Sequence, residues 1–278
     1  YQFLKKRLLK SSTFDSTTLV EEASKALEDS CKKGLIAKSI TKKHIKRSPR
    51  EPFRTSVLQQ QASNRFGFTP KRTMQIAQSL YAREGGGLIT YIRTDSIEID
   101  EGKLPSVRDQ VAFMFGDDFV QPRNYKNKKE AKNVQEAHGA ITPVDISLIP
   151  TKAKKILKDD EFKLYQLIWQ RTVASQMKDA LFERTSIEFV PTGDEGLATF
   201  SFSDQELIFS GYLEATQEEV TNNKPPLINE NDSIEFKGLI KTQHFTDPPP
   251  RYNDASMIKA LEEKALEGPQ HMQTYSLN

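Results

Sequence analysis

The sequence predicts an α+β protein in which a helical domain is inserted into a discontinuous β-rich domain. Apolar residues recur at helical spacing through most of residues 52–178, whereas residues 180–247 form short segments in which apolar and polar residues alternate. The same alternation occurs ahead of the helical block, from Leu35 onward. Strand-forming segments on both sides of the helices therefore indicate one domain that the helical block interrupts.

The first element is predicted to be a helix, LVEEASKALEDSCKK, capped by Thr17 or Thr18 and stopped by Gly34. The segment that follows, LIAKSITKKHIKRS, alternates apolar and polar residues and predicts a strand. Pro52 marks the boundary to the helical block.

Four helices are predicted within the helical block. The first, SVLQQQASNRF, is ended by Gly67, and the second begins with Thr69 as its cap and Pro70 at its first position. The third runs over residues 105–115 and the longest over residues 160–180, with an apolar stripe along one side.

The rest of the chain predicts strands and a final helix. The strand-like segments are ERTSIEFVPT, LATFSFSD, ELIFSGYLEAT and DSIEFKGLIKTQHF, and Asn253 or Asp254 caps a helix that runs to Ala265. The predicted organisation is a discontinuous β-rich domain (1–51 and 179–250), a helical domain (52–178) and a short terminal part (251–278).

Composition excludes several classes of protein. A mean hydropathy of −0.61 and the lack of any long apolar run exclude a membrane-spanning helix and predict no membrane partner. Cys31 is the only cysteine, which excludes a disulfide framework and a cysteine-ligated zinc site and favours a reducing cytoplasm.

Positive charge is clustered although the net charge is only +2. Local basic stretches on a nearly neutral chain indicate a groove for a polyanion, or simply solvated loops. The two clusters comprise Lys38, Lys42, Lys43, Lys46, Arg47, Arg50 and Arg54, and then Arg123, Lys126, Lys128, Lys129 and Lys132.

The segment GGGLITYIRTDS carries the clearest chemical pattern. On a strand, Tyr91 and Arg93 share one face, which would bring a phenol oxygen and a guanidinium to the same phosphate. A cross-strand stack between an aromatic ring and a surface arginine has the same pattern. Two further segments offer similar alternatives: His138 in QEAHGAITP as a group that contacts phosphate or as a helix-end residue, and Arg171 in LYQLIWQRTVASQM as a phosphate contact or as an exposed residue of a core helix.

Taken together, these segments resemble bacterial type IA DNA topoisomerases. PFRTSVLQQQASNRFGFTPKRTMQIAQSLY, GGLITYIRTDS, QEAHGAITP, LYQLIWQRTVASQM and HFTDPPPRYNDASMIKALEEK occur in the order and spacing of that family, over most of residues 52–264. The resemblance implies that Tyr91 attacks a phosphodiester of single-stranded DNA and forms a 5′-phosphotyrosine. It also implies that Arg93 neutralises the phosphate and that His138 contacts phosphate or supports proton transfer. The implied DNA contacts are Arg171, Gln176, Thr94, Asp95 and Ser96.

For the whole enzyme the resemblance implies ATP-independent relaxation of negatively supercoiled DNA in the cytoplasm, with the β-rich domain as the arch of a toroid. It also implies Mg²⁺ bound by an acidic cluster of a Toprim domain. No metal ligands are expected in this chain, which resembles a central fragment without the Toprim and gate domains and is expected to be inactive alone. Gly139 and Thr142 depart from the glutamate and arginine that many relatives have, and residues 265–278 depart from the family pattern.

The residues by themselves leave two other classes of protein open. A non-catalytic module could bind single-stranded nucleic acid through the same basic and aromatic side chains. A tyrosine recombinase or a rolling-circle nuclease would need an Arg-His-Arg set or a histidine pair for a metal, and the histidine pair is absent from the sequence.

Overall fold

The structure is a computed structural model that describes residues 17–127, 138–194, 196–242 and 244–264. The described residues form two compact units. The first contains residues up to Lys46 together with 181–209 and 220–248, and the second contains residues 47–180, 210–219 and 249 onward. Helices and an antiparallel pair of long strands are both present, so the predicted α+β class is confirmed.

In its described residues, the first unit combines one helix with a four-stranded sheet in the order β3-β2-β1-β4. β2 pairs with β3 and β1 pairs with β4, both antiparallel. Gly34 turns the chain between the helix and the first strand with a φ of 91°, as its predicted role of helix stop requires. The elements are α1 (Thr17–Cys31), β1 (Leu35–Arg47), β2 (Ala180–Pro191), β3 (Phe200–Phe209) and β4 (Ser233–Ile234).

The last strand-like segment of the sequence is mostly not a strand. Of its described residues only Ser233 and Ile234 pair, with Ile36 and Leu35. Ile240 is 91% exposed, so the alternating pattern beyond β4 has no apolar face to bury and no strand forms there. By contrast, residues 200–209 form one continuous strand where the sequence predicts two segments, because β3 pairs with β2 along its length.

The second unit contains the remaining helices, and their boundaries follow the local signals. Thr69 caps α3 by accepting a hydrogen bond from the Arg72 N–H at 3.2 Å, and Gly67 ends α2 in the left-handed conformation. The helices are α2 (Thr55–Phe66), α3 (Pro70–Tyr81), α4 (Leu104–Phe115), α5 (Pro150–Ala153), α6 (Asp159–Ala174), α7 (Leu213–Thr216) and α8 (Asp254–Glu263).

The longest helix ends at Ala174 rather than continuing to Ala180 as predicted. Backbone groups after Ala174 bond to another segment: Gln176 accepts from the Gln121 N–H at 2.9 Å, and the Lys178 N–H donates to Phe119 at 2.8 Å. Backbone groups that are already paired with a neighbouring segment do not require another helical turn to supply a hydrogen-bond partner. The helix therefore ends before them.

Two parts of the chain pack differently from the predicted organisation. Residues 210–219, which the sequence assigns to the β-rich domain, pack with α7 against α6 in the second unit. α8 packs on α2, and the Glu262 carboxylate accepts hydrogen bonds from Arg54 at 2.6 Å, Ser56 at 2.9 Å and Gln60 at 3.3 Å. Residues 265–278 lie outside the described part of the chain.

The core of the second unit surrounds α6 and fixes a loop close to the candidate site. Tyr165 and Trp169 are buried on this helix, and their polar tips donate to the carbonyls of Leu148 at 2.7 Å and Ile146 at 2.9 Å. Each such bond contributes on the order of 1 kcal/mol. The loop that follows residues 138–143 is thereby anchored to the helix. Within the described residues, no helix has the length and apolar content needed to cross a bilayer.

Candidate active site

Tyr91 and His138 lie in direct contact. Their ring centroids are 4.4 Å apart and their planes are inclined by 44°. Tyr81, at the end of α3, packs edge-on against Tyr91 with ring centroids 5.7 Å apart. Tyr91 is half-buried and contacts both rings, and His138 and Tyr81 are exposed, so the phenol lies among aromatic side chains at the protein surface.

Three threonine hydroxyls hold the backbone on either side of Tyr91. The Thr55 hydroxyl, at the start of α2, lies 2.8 Å from the Ile92 carbonyl and accepts from the Thr94 N–H at 2.9 Å. The Thr90 hydroxyl donates to the Ala140 carbonyl at 2.8 Å, and the Thr94 hydroxyl donates to the His138 carbonyl at 3.2 Å. The backbones that carry the phenol and the imidazole are therefore tied to each other.

Thr55, Thr90 and Tyr81 were not among the sequence-predicted site residues. A threonine beside a turn signals a side-chain bond to the backbone, but the partner is distant in sequence and cannot be read from the spacing. Thr55 and Thr94 are 39 residues apart.

The segment around Tyr91 is not the strand that the sequence predicts. Ile89 forms an isolated bridge with Pro143, and residues 91–99 lie in neither a helix nor a strand. The threonine hydroxyls take over backbone bonds that a neighbouring strand would make. The alternation of exposure survives: Ile92 and Thr94 are buried, whereas Arg93 is exposed and Tyr91 half-buried.

Two glycines near Tyr91 allow close contacts within the protein. A Cβ on Gly87 would lie 2.3 Å from the carbonyl oxygen of Tyr81, and one on Gly139 would lie 2.8 Å from that of Glu98. Only a residue without a side chain fits there unless the backbone shifts. Glycine at position 139 thus matches a close backbone contact of this chain.

The polar residues after Arg93 have mixed environments. Thr94 and Ser96 are buried, and the Ser96 hydroxyl accepts from the Asn127 side chain at 3.1 Å. Asp95 is half-buried. Thr94 and Ser96 therefore support the conformation of the segment from inside, and Arg93 and Asp95 are the residues that face outward.

Arg171 is connected to the segment that carries His138 through Phe53. Its guanidinium carbon is 4.4 Å from the ring centre of Phe53, a cation–π contact, and Phe53 pairs with Ile141 through a backbone bond of 2.8 Å. Burial, followed by the positive charge of Arg50, lowers the pKa of Arg171 to about 10. Arg171 is thus still a cation at neutral pH and is linked to the His138 segment through a buried ring.

The Gln176 side chain is buried and bonded to other protein groups instead of being exposed to solvent. Its side chain is fully buried, its oxygen accepts from Arg108 at 3.0 Å, and its amide donates to the Arg123 carbonyl at 2.9 Å. Both ends of the amide are occupied by protein groups, so the implied DNA contact by Gln176 has no polar atom available in this structure.

Several cations of the two basic clusters are paired with carboxylates. Arg54 pairs with Glu262 at 2.6 Å and Arg123 with Asp179 at 2.6 Å. In the first unit, Lys42 pairs with Glu183 at 2.9 Å. These pairs reduce the free positive charge that the sequence suggests. Gln135, Glu136, Lys128, Lys129 and Lys132 lie outside the described residues.

The described side chains do not fit a metal site. Nowhere in the described ranges do three or more His, Cys, Asp or Glu side chains converge as metal ligands. What the site contains instead is a phenol in contact with an imidazole, and an exposed arginine two residues along the chain from the phenol. A phenol can act as a nucleophile, an imidazole can accept or donate a proton, and a guanidinium can bind a phosphate oxygen.

Comparison with known proteins places the chain in one family. A family model described as DNA topoisomerase matches residues 2–268. DNA topoisomerase 1 of Rickettsia bellii (strain RML369-C) is 40% identical over 242 residues, which is 83% of this chain and 30% of that protein. DNA topoisomerase 1 of Helicobacter pylori (strain ATCC 700392 / 26695) is 41% identical over 243 residues, covering 86% of this chain and 32% of that protein.

A solved structure shows the same fold. Full-length topoisomerase I from Thermotoga maritima superposes with a TM-score of 0.79 at 30% identity, over 96% of this chain and 42% of that one. The chain spans about a third of the length of the curated relatives that it matches.

Proposed function

The chain belongs to the DNA topoisomerase family, and from this premise we propose that Tyr91 is the nucleophile of a type IA topoisomerase. The observation that carries the proposal is the contact between the Tyr91 ring and the His138 imidazole, with centroids 4.4 Å apart. A tyrosine hydroxyl with a pKa near 10 is a weak nucleophile and needs a neighbouring group that handles its proton or the phosphate charge. His138 is such a group.

The proposed cleavage forms one bond and breaks one. The Tyr91 oxygen attacks a phosphorus of single-stranded DNA, the bond between that phosphorus and the 3′ oxygen breaks, and a 5′-phosphotyrosine remains. The phenolic proton leaves the nucleophile and the departing 3′ oxygen gains a proton. Resealing is the reverse reaction, so no ATP is consumed, because the phosphotyrosine retains the phosphodiester bond energy.

Arg93 and His138 have distinct proposed roles. Arg93 is exposed two residues from the nucleophile, so its guanidinium can bind the oxygens of the attacked phosphate and stabilise their charge in the transition state. His138 is exposed beside the phenol ring and contacts the phosphate or relays a proton. Asp95, which is half-buried and follows Arg93 in the same segment, is proposed to shape the DNA path.

Magnesium is proposed only for the complete enzyme, because the described residues do not provide a ligand set for it. When bound there, Mg²⁺ would supply positive charge near the phosphates. The 278-residue chain by itself is accordingly proposed not to complete a cleavage cycle. The proposed substrate is single-stranded DNA within negatively supercoiled DNA, and the proposed location is the cytoplasm of a bacterial cell.

A second candidate function is a non-catalytic module that binds single-stranded nucleic acid. It is favoured by one observation, the cation–π pair of Arg171 and Phe53, which fixes a partly buried cation independently of Tyr91. Binding alone does not separate the two functions, since both require affinity for DNA.

The deciding experiment is trapping of the covalent link. A topoisomerase that contains these residues is incubated with end-labelled single-stranded DNA and Mg²⁺, denatured, and run on a gel. We expect a protein-linked DNA fragment with Tyr91 and none with Tyr91→Phe, together with loss of plasmid relaxation. Plasmid relaxation that persisted in Tyr91→Phe would refute the assignment of Tyr91 as the nucleophile. The same experiment with Tyr81→Phe is the control for a neighbouring phenol.

A further inference from the structure

A second concave site lies where α2, α6 and α7 meet. The cavity has a volume of about 270 Å³, and none of the residues in ring contact with Tyr91 lines it. Its walls combine two cations, three glutamine amides, one hydroxyl and two apolar side chains. The lining residues are Arg65, Phe66, Lys163, Gln166, Leu167, Gln170, Thr216 and Gln217.

The charge of this cavity favours an anion. Arg65 and Lys163 line it, are both exposed, and are joined by no carboxylate among the described lining residues. Asp160 lies 3.9 Å from Lys163, but the lysine side chain is 49% and the aspartate side chain 34% exposed, so solvent screening leaves this pair weak. Two cations that converge on one small space suit a phosphate.

An unpartnered hydroxyl provides an independent sign of a ligand. Thr216 is only 8% exposed, lines the cavity, and its Oγ1 has no hydrogen-bond partner within the described part of the protein. A buried polar group without a partner costs about 1–3 kcal/mol. The Oγ1 atom is itself shielded from solvent, so a ligand in the cavity would form a hydrogen bond with it, and remove that cost, only after the Thr216 side chain rotates toward the cavity.

Backbone strain occurs at the same place. Gln217, the residue after Thr216, has a φ of 52°, which a non-glycine residue adopts at a cost of about 1–2 kcal/mol. The strained residue lines the cavity, as do Gln166 and Gln170 of α6. Lys163, Gln166 and Gln170 are spaced so that they share one face of the helix.

The remaining walls suit a base. Phe66 is half-buried at the end of α2 and offers an aromatic surface, and Leu167 offers an apolar one. Glutamine amides carry both donors and acceptors, which is what the edge of a nucleobase requires. The volume of about 270 Å³ lies just below the usual range of ligand pockets, so it suits one nucleotide better than a larger ligand.

We propose that this cavity binds one nucleoside phosphate, with the phosphate on Arg65 and Lys163 and the base between Phe66 and the glutamine amides. The nucleotide is supplied either by a DNA single strand or as a free mononucleotide, since both present the same chemistry. The site does not depend on Tyr91 being a nucleophile.

The test uses the 278-residue chain and two probes, a fluorescein-labelled oligothymidylate and thymidine 5′-monophosphate. Arg65→Gln and Lys163→Gln are each expected to weaken binding of the mononucleotide several-fold. For the oligonucleotide, each is expected to reduce the dependence of log affinity on log salt by about 0.7, the value for one lost single-strand phosphate contact. Lys259→Gln, at an exposed position of α8, is the matched control and should change neither quantity.

Two further variants make the result specific. Thr216→Val has nearly the same shape as the parent and no hydroxyl, so it should weaken mononucleotide binding while all charges remain. Arg93→Gln should weaken binding of the oligonucleotide only, because Arg93 belongs to the Tyr91 site. This variant therefore separates failure of the Tyr91 site from failure of the cavity. If Arg65→Gln and Lys163→Gln weaken binding of the oligonucleotide but not of the mononucleotide, the occupant of the cavity is a DNA strand.

The proposal is overturned if Arg65→Gln and Lys163→Gln, folded as judged by circular dichroism, bind both probes as the parent does. It is equally overturned if the parent binds neither probe saturably at low salt. As a local readout, an oligonucleotide with 5-iodouracil should photo-crosslink to Phe66, and a crosslink confined to Tyr91 or Tyr81 would contradict the proposed position of the base.

Discussion

The imidazole of His138 packs against the phenol of Tyr91 although the two residues are 47 positions apart in sequence. The Thr94 hydroxyl, which bonds to the His138 carbonyl at 3.2 Å, connects the same two segments through their backbones. This bond between the two segments therefore keeps the two rings close together. This arrangement leads to predictions about chemistry, local support and stability.

Replacing His138 separates a proton-handling role from a packing role. His138→Ala removes ring and nitrogen, whereas His138→Phe keeps a ring beside Tyr91 without a titratable nitrogen. In a topoisomerase that contains these residues, we expect both variants to lower the rate of DNA cleavage, by about 10²-fold if proton transfer is lost. Single-turnover cleavage measures this, and normal cleavage by His138→Phe would reduce His138 to a packing residue.

The Thr55 hydroxyl is expected to support the Tyr91 segment. Thr55→Val keeps the side-chain shape but leaves buried backbone groups of Ile92 and Thr94 without their partner, at a cost of about 1–3 kcal/mol. Urea unfolding of the chain measures the loss. Thr69→Val, at the exposed start of α3, is the comparison and should cost about 1 kcal/mol as a lost cap. A Thr55→Val variant as stable as the parent would contradict the role of the hydroxyl.

The contact of Arg171 with Phe53 should distinguish arginine from lysine. Arg171→Lys keeps the charge but loses the planar group over the ring, so we expect the free energy of unfolding to fall by about 0.5–2 kcal/mol. Phe53→Leu should remove the same interaction, and the double variant should lose less than the sum of the single variants. Full additivity in this double-mutant cycle would show that the two groups do not interact.

Tyr165 should make the second unit sensitive to alkali. Burial raises the pKa of this phenol above its usual value, so the neutral form is favoured in the folded state. The resulting stability is complete below the unfolded pKa near 10 and is lost as pH rises through the higher folded pKa. Thermal unfolding between pH 9 and 11 should therefore show a steeper loss for the parent than for Tyr165→Phe. Equal slopes would contradict this assignment.

The Glu262 carboxylate should hold α8 on α2. Glu262→Gln removes the charge that Arg54, Ser56 and Gln60 bind, and we expect faster hydrogen exchange in α8 and a loss of about 1–2 kcal/mol in stability. Glu263→Gln is the matched control, because its carboxylate is exposed and its ion pair within the described residues is with Lys259 at 3.7 Å. Similar exchange in both variants would show that the carboxylate does not hold the helix.

Most helices could be predicted because their signals are local. Thr69 with Pro70, Gly67 and the apolar spacing of α6 act within a few residues, and the structure follows them closely. The end of α6 and the length of β4 were predicted wrongly, since both depend on distant partners. Met177 pairs with Val120, and the residues beyond Ile234 find no apolar face to bury.

The sequence alone determined the α+β class and the helix starts, because these follow from local patterns. It also predicted the three chemical residues Tyr91, Arg93 and His138 from motif order, and their roles stay predictions. Only the tertiary structure decided which residues meet: Tyr81 and His138 around the phenol, and Thr55 beneath it. It also gave Gln176 an internal role. Contacts between distant segments depend on how the helices pack, and no local spacing encodes that packing.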